Sequence, residues 1–265
     1  MTARPIPSTA RTIDDPVYGT VHFTEPVLTA LLQTDAVQRL QAIYQGGITA
    51  FIQPERNTTR LDHSVGVAAL LRHLGASVEE QAAGLIHDVP HTAFSHVIDF
   101  VFPNRAHTYH EEQSERIFYK SEIPSILRTY GLDWRRVAEP ENYPRLEQPL
   151  PRLCADRLDY FLRDGIQDLH TFTVKEGRHL LDHLRVRDSR IVVDDVEVAR
   201  WLGDAFITLD DRCWCSVQEV GWYAVMARAL QEALKHDVIT LADFEGTDAA
   251  LFHRQNRAGR GGAFK

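Results

Sequence analysis

The 265-residue chain has little of what marks several large protein classes. Its three cysteines, Cys154, Cys213 and Cys215, are too few and too awkwardly spaced for a disulfide framework or a four-thiolate zinc site. Ordinary reduced thiols are expected, with a cytoplasmic setting as the default. No apolar run approaches the ~20 residues that span a bilayer. Met1 to Thr12 carries Arg4 and Arg11 but no apolar core, so it does not read as a signal peptide. Basic residues are outnumbered, 29 against 37 acidic, and the net charge of −8 argues against a broad nucleic-acid surface. Glycine is scarce and no internal repeat is found. What remains is an ordinary globular composition, 44% hydrophobic and 25% charged, on a chain long enough to bury a substantial core.

The patterning is mostly helical. Residues 13–25 read as a short extended hairpin. Helical periodicity runs from Pro26 through Val27, Leu28, Leu31, Leu32, Val37, Leu40 and Ile43 to Gly46-Gly47, and 48–60 reads as a loop. A helix is expected from near His63 to Leu74. The next opens on Ser77 and Glu80, a capping-box pair, and ends at His87-Asp88 because Pro90 cannot continue it. Residues 110–130 read as helix and 133–150 as a surface loop. Pro151 and Gly165 bracket a further helix, 184–195 a hairpin turning at Ser189-Arg190, and Ser216 opens a long helix through Leu234. The expected organisation is a flexible 1–12, one domain over 13–255 and a flexible tail over 256–265.

The chemistry concentrates in His87-Asp88-Val89-Pro90-His91-Thr92-Ala93-Phe94-Ser95-His96. Adjacent imidazole and carboxylate offer a metal ion two different donors from one backbone site. With outlying partners, such a set suits a hard or borderline divalent ion and the activation of water. Antiparallel packing of the two helices joined at Gly75 would bring His63 beside His87-Asp88. Asp156, Tyr160 and Asp164 fall at i, i+4 and i+8 on one helical face and could form a pocket wall. Asp159 and Arg163 read as a routine ion pair on a solvated face. His22, His73, His170, His179, His183, His236 and His253 sit in no motif and read as structural or surface residues.

The ordered set His63, His87-Asp88 and Asp156 resembles the H…HD…D signature of the HD-domain metal-dependent phosphohydrolases. The resemblance extends, over about residues 13–235, to Asp14-Asp15-Pro16-Val17-Tyr18-Gly19, Gln38-Arg39-Leu40, Arg60-Leu61-Asp62-His63-Ser64-Val65-Gly66-Val67, His110-Glu111 and Asp156-Arg157-Leu158-Asp159-Tyr160-Phe161-Leu162-Arg163-Asp164, in the order seen in the deoxynucleoside triphosphate triphosphohydrolase (SAM-and-HD-domain-like) branch. It implies a mostly α, HD-domain helical bundle with one or two small β-hairpins. It implies one divalent metal ion per site (Mn, Fe, Zn, Ni or Mg) on His63, His87, Asp88 and Asp156. It implies His91, His96 and His110, the last oriented by Glu111, as groups that contact the phosphate or move a proton, and Gln45, Arg60, Tyr160 and Asp164 as substrate contacts. His107 competes with His110 for its role.

The expected activity is therefore hydrolysis of a phosphoester or phosphoanhydride of a nucleotide-like small molecule by metal-activated water, with no membrane partner and with a homo-oligomer open. The branch places several basic residues on a later helix against its polyphosphate, whereas this chain has Arg212-Cys213-Trp214-Cys215-Ser216-Val217-Gln218-Glu219-Val220-Gly221-Trp222 there. With one base, that stretch fits a smaller phosphoester better than a polyanion. Two other readings stay open: a di-iron oxygenase on an HD scaffold, which needs additional histidine ligands, and a catalytically silent nucleotide-binding regulatory module.

Overall fold

The structure, a computed structural model, describes residues 10–102 and 116–260, with side chains up to Gln255. His107, His110 and Glu111 lie outside the described residues. Strands β1 (Arg11–Asp15) and β2 (Gly19–Phe23) form the expected N-terminal hairpin. Its turn closes because the Asp15 carboxylate accepts the backbone N–H of Val17 at 2.8 Å and of Tyr18 at 3.0 Å. Gly19 at φ +75° completes it.

The helix expected from Pro26 to Ile43 is broken. Helix α1 (Pro26–Leu31) ends, and a new turn starts at Asp35–Gln38, leading into a 3-10 turn over Arg39–Ala42. Thr34 is the cause: its hydroxyl donates to the Leu31 carbonyl and accepts the Val37 N–H, capping both sides of the break. The stretch read as a loop over 48–60 contains a helical turn, Thr49–Ile52.

Helix α2 (Arg60–His73) starts earlier than expected, fixed by a capping box between Thr59 and Asp62. Gly75 at φ +68° turns the chain, and Ser77 caps helix α3 (Val78–Ile86). The two helices pack closely because Gly84 has no side chain: a β-carbon there would stand 2.5 Å from Leu71 Cδ1. After the His91–His96 segment come α4 (Val97–Val101), then α5 (Ala155–Arg163) with a π-helical turn over Asp164–Asp168. Helix α6 (Val174–His183) leads into the second hairpin, β3 (Leu184–Arg187) and β4 (Arg190–Val193). That hairpin turns at Asp188 and Ser189, both at positive φ, one residue before the expected place.

The sequence reading missed α7 (Val196–Leu209), capped by Asp195 and continued by a π-helical turn over Asp210–Trp214. Ser216 caps α8 (Val217–Lys235) as expected, and α9 (Asp248–Arg260) runs through the stretch read as the start of a tail. Of the expected helix over 110–130, the described part is helical over 116–120 and, after a break, over Ile123–Thr129. The proline- and charge-rich 133–150 is not a free surface loop: Trp134, Val137, Tyr143 and Leu146 are buried, and Tyr143 Oη donates to Glu79 at 2.7 Å.

The fold is thus mostly helical with two small antiparallel hairpins, as the sequence predicts. One core gathers the inner faces of α1, α2, α3 and α5 with both hairpins. A second joins Phe94, Val97 and Val101 to Met226, Leu230, Phe244 and Leu251. Among the described residues, no helix is long and apolar enough to cross a membrane.

Candidate metal centre

Helix α2 presents His63, the C-terminal end of α3 presents His87 and Asp88, and the first turn of α5 presents Asp156. His63 Nε2 lies 2.8 Å from Asp156 Oδ1, 3.3 Å from His87 Nε2 and 4.0 Å from Asp88 Oδ2. His87 Nε2 lies 3.4 Å from Asp156 Oδ1 and 3.5 Å from Asp88 Oδ1. The four positions singled out from sequence therefore converge, and His63, His87 and Asp88 alone place donor atoms within 4.8 Å of one another. The antiparallel helix pair does what its short connection implied.

The outer nitrogens of both imidazoles are already engaged. His87 Nδ1 lies 2.7 Å from the Gly84 carbonyl oxygen, which can only accept, so this nitrogen carries the proton. His63 Nδ1 donates to Asp159 Oδ2 at 2.7 Å. Both tautomers are then set with the Nε2 lone pair facing inward. Two lone pairs 3.3 Å apart, facing two carboxylates, repel one another unless a positive charge sits among them. Without a metal a proton plays that part. Burial works against a charged His63, but its bonds to the Asp156 and Asp159 carboxylates outweigh this and push the imidazole up to about 10. Two nitrogens and two carboxylates, with the outer ring nitrogens tied back, make a donor set that fits a divalent cation.

Behind the cluster lies a buried chain of charges. Asp159 receives Arg163 Nε and Nη2 at 3.1 Å each, and Arg163 Nη2 also donates to Asp15 Oδ2 at 2.9 Å. Asp159 and Arg163 are 0% exposed, so the surface ion pair expected from their spacing is instead fully interior. Periodicity on α5 alone cannot reveal that the N-terminal hairpin covers this face. Burial alone would raise the Asp159 carboxyl, but Arg163 and His63 hold it below the ordinary carboxylate range. Buried charges of this kind persist because every one is paired.

Arg60 closes the other side. Its guanidinium donates to Asp88 Oδ2 and to Ser95 Oγ, both at 2.8 Å, and Nη2 lies 3.4 Å from His96 Nε2. A residue expected to contact substrate is thus seated on Asp88, one of the converging donors. His91 Nε2 sits 3.2 Å from Asp88 Oδ1, and the His91 and His96 rings meet edge to face at 5.3 Å. Burial opposes ionisation of Asp88, yet Arg60, His87 and His91 together hold it well below the usual range.

The segment carrying these histidines is held from outside. Arg39 Nη2 donates to the carbonyls of Val89 and His91 at 2.8 Å each, and Asp248 accepts the N–H of Phe94 at 2.6 Å and of Tyr44 at 2.8 Å. Phe94 and Ser95 sit at φ +61° and +50°, which non-glycine residues adopt only where packing enforces it.

Beside the centre opens a cavity of about 550 Å³. Gln45, His96, Tyr160 and Asp164, all singled out from sequence, line it. Trp214 donates its indole N–H to Asp164 at 2.7 Å and packs on Tyr160 at a centroid distance of 4.9 Å. Burial pushes the Asp164 carboxyl up to about 6. Burial and then the neighbouring Asp164 push Asp168 up to about 7. The sequence reading missed Arg56, Asp99 and Asp168 here, since none stands at a spacing that distinguishes it. A second donor group, Glu147, Cys154 and Asp156, shares Asp156 with the centre. Its thiol is held protonated, because burial, Asp156 and Glu147 push it up to about 12.

Comparison with known proteins agrees with this geometry. The HD domain family matches residues 60–164, a span that contains His63, His87, Asp88 and Asp156. The chain is 43% identical to the uncharacterized protein YdhJ of Bacillus subtilis over 91% of its own length and 74% of that protein. It is 38% identical to the metal-dependent phosphohydrolase cns2 of Cordyceps militaris over 84% of its length and 66% of that protein. Mouse deoxynucleoside triphosphate triphosphohydrolase SAMHD1 is 31% identical over 46% of the chain, which covers only 22% of that protein. A hypothetical protein of Aquifex aeolicus shares the fold, with a TM-score of 0.66 at 24% identity, over 92% of this chain and 71% of that one. The chain belongs to the HD-domain family of metal-dependent phosphohydrolases.

Proposed function

We propose that the protein hydrolyses a phosphoester or phosphoanhydride of a nucleotide-like small molecule at a centre formed by His63, His87, Asp88 and Asp156. The observation that carries this reading is the convergence of two inward-facing imidazole nitrogens and two carboxylates, the closest pair 2.8 Å apart, beside a cavity sized for a small molecule. The names of two relatives, a metal-dependent phosphohydrolase and a deoxynucleoside triphosphate triphosphohydrolase, support the substrate class.

His63, His87, Asp88 and Asp156 would hold a divalent cation, which would supply Lewis-acid polarisation of a phosphoryl oxygen and lower the pKa of a bound water. The protein does the rest. Asp159 and the Gly84 carbonyl hold the two imidazoles in the ligating tautomer. Arg60 holds Asp88 and, with His91, places positive charge and N–H donors where the phosphoryl oxygens gather negative charge. His96, whose side chain is 52% exposed at the cavity mouth, stands where it can deliver a proton to the leaving oxygen. In the net reaction the water oxygen bonds to phosphorus, the bond from phosphorus to the leaving oxygen breaks, and a proton passes to that oxygen. His110, with Glu111, is retained as a second proton carrier from the motif.

The test is Asp88→Ala. Metal analysis of the purified variant should show loss of bound metal, and phosphate release should fall by a factor on the order of 1,000 or more. Full metal content with undiminished hydrolysis would overturn the assignment.

A further inference from the structure

The cavity beside the metal centre is built to accept hydrogen bonds. Asp99, Asp164, Asp168, Asp210 and Glu219 give it five carboxylates, against Arg56 as its arginine among the described residues. Arg56 is largely committed, because Nη1 donates to Glu219 at 2.9 Å and Nη2 to the Cys213 sulfur at 2.7 Å, while its buried Nε has no partner among the described residues. Acceptors remain open. Asp99 is 3% exposed, and its Oδ1 has no hydrogen-bond partner among the described residues; the same holds for Gln45 Oε1. A buried acceptor left unmatched is costly, so these atoms call for donors from a ligand. Tyr160 and Phe206 pack against Trp214 at centroid distances of 4.9 and 5.0 Å, which gives the same cavity an aromatic wall.

We propose that this cavity holds the uncharged, hydrogen-bond-donating body of a nucleoside monophosphate, with its single phosphate at the His63–His87–Asp88–Asp156 cluster, and that its carboxylates exclude the corresponding triphosphate. The proposal rests on the hydrolase reading for what happens to the phosphate, but not for what fills the cavity. A nucleoside offers sugar hydroxyls and ring or exocyclic N–H groups as donors, a flat ring for the aromatic wall, and a volume within what about 550 Å³ encloses. A triphosphate chain would bring several negative charges alongside Asp99, Asp210 and Glu219, and the arginine of the described lining, Arg56, already pairs with Glu219. The reaction is then monoester cleavage: water oxygen to phosphorus, ester oxygen released and protonated, nucleoside and inorganic phosphate as products.

The test uses the full chain. Adenosine, guanosine, cytidine and uridine are titrated calorimetrically into metal-free protein. The metal-loaded protein is then assayed with the matching 5′-mono- and triphosphates and with p-nitrophenyl phosphate as a small ester. Expected are binding of at least one nucleoside, weakened roughly 10-fold by Asp168→Asn and separately by Gln45→Leu, and a kcat/KM for the monophosphate on the order of 100-fold above the triphosphate. Nucleoside binding that both variants weaken, with no phosphate released from any compound, keeps the cavity assignment and defeats the hydrolase reading. Turnover of p-nitrophenyl phosphate with no nucleoside bound does the reverse. A triphosphate used as well as the monophosphate overturns the proposal.

Discussion

Gly66 and Asp159 approach so closely that a β-carbon on Gly66 would stand 2.0 Å from the Asp159 carboxylate oxygen and 2.1 Å from Arg163 Nη2. The glycine lies one helical turn beyond His63 on α2. Its missing side chain is the space that lets the buried Asp159–Arg163 pair sit behind His63. Gly66→Ala should displace the pair from both His63 and Asp15. The expected cost is about 3 kcal/mol or more in chemical denaturation, with weakened metal binding. A stability equal to wild type would show that the pair tolerates the methyl group.

Asp15→Asn tests the other end of the same chain. The asparagine oxygen can still accept the N–H of Val17 and Tyr18, so the hairpin turn is retained. Arg163 then loses one of its two carboxylate partners and pulls harder on Asp159. Metal affinity, read by competition with a chelator, should drop about 10-fold, with the circular dichroism spectrum unchanged. Unaltered affinity would confine Asp15 to its turn.

The raised carboxyls give a pH dependence whose sign is fixed. Asp168, near 7 in the folded protein, keeps its proton where the unfolded chain has already lost it. The native state therefore binds more protons, and stability falls as pH rises from about 4 to about 7. His63, raised to about 10, stabilises fully below its unfolded value of about 6.5 and loses that contribution toward 10, equally in wild type and variant. In metal-free protein, Asp168→Asn should thus gain stability relative to wild type as pH rises from about 4 to about 7. Two parallel stability curves across that range would refute the assignment.

Arg60→Lys keeps the charge but not the fork that reaches Asp88, Ser95 and His96 together. The kcat/KM for phosphate release should fall roughly 10- to 100-fold with folding preserved. Activity at the wild-type level would leave the guanidinium geometry without a role.

The centre was legible in the sequence where motif and topology coincide. His87 and Asp88 announce themselves by adjacency ahead of Pro90, and the short link at Gly75 explains how His63 reaches them. Asp159 and Arg163 were visible too, but as a solvated pair, because i, i+4 spacing reports which face they share and not what covers it. Asp15 was legible as a turn residue and hid a second carboxylate oxygen aimed at Arg163. The break at Thr34 was missed because apolar periodicity continues across it while one hydroxyl rewires the backbone. Helix α7 went unread for want of a distinguishing motif. The acceptor-rich cavity draws on Gln45, Asp99, Asp168, Asp210 and Glu219, and no local pattern joins residues so far apart.

The hydrogen bond from Arg163 to Asp15 spans 148 positions of sequence, and that from His63 to Asp159 spans 96. The HD match begins at Arg60, so Asp15 lies outside it. Contacts of such range close large loops and form late in folding. During synthesis, the His63, His87 and Asp88 donors emerge long before the carboxylates of α5 that complete and orient them. A nascent chain therefore holds three of the four converging donors, His63, His87 and Asp88, before the α5 segment that carries Asp156 and Asp159 has emerged.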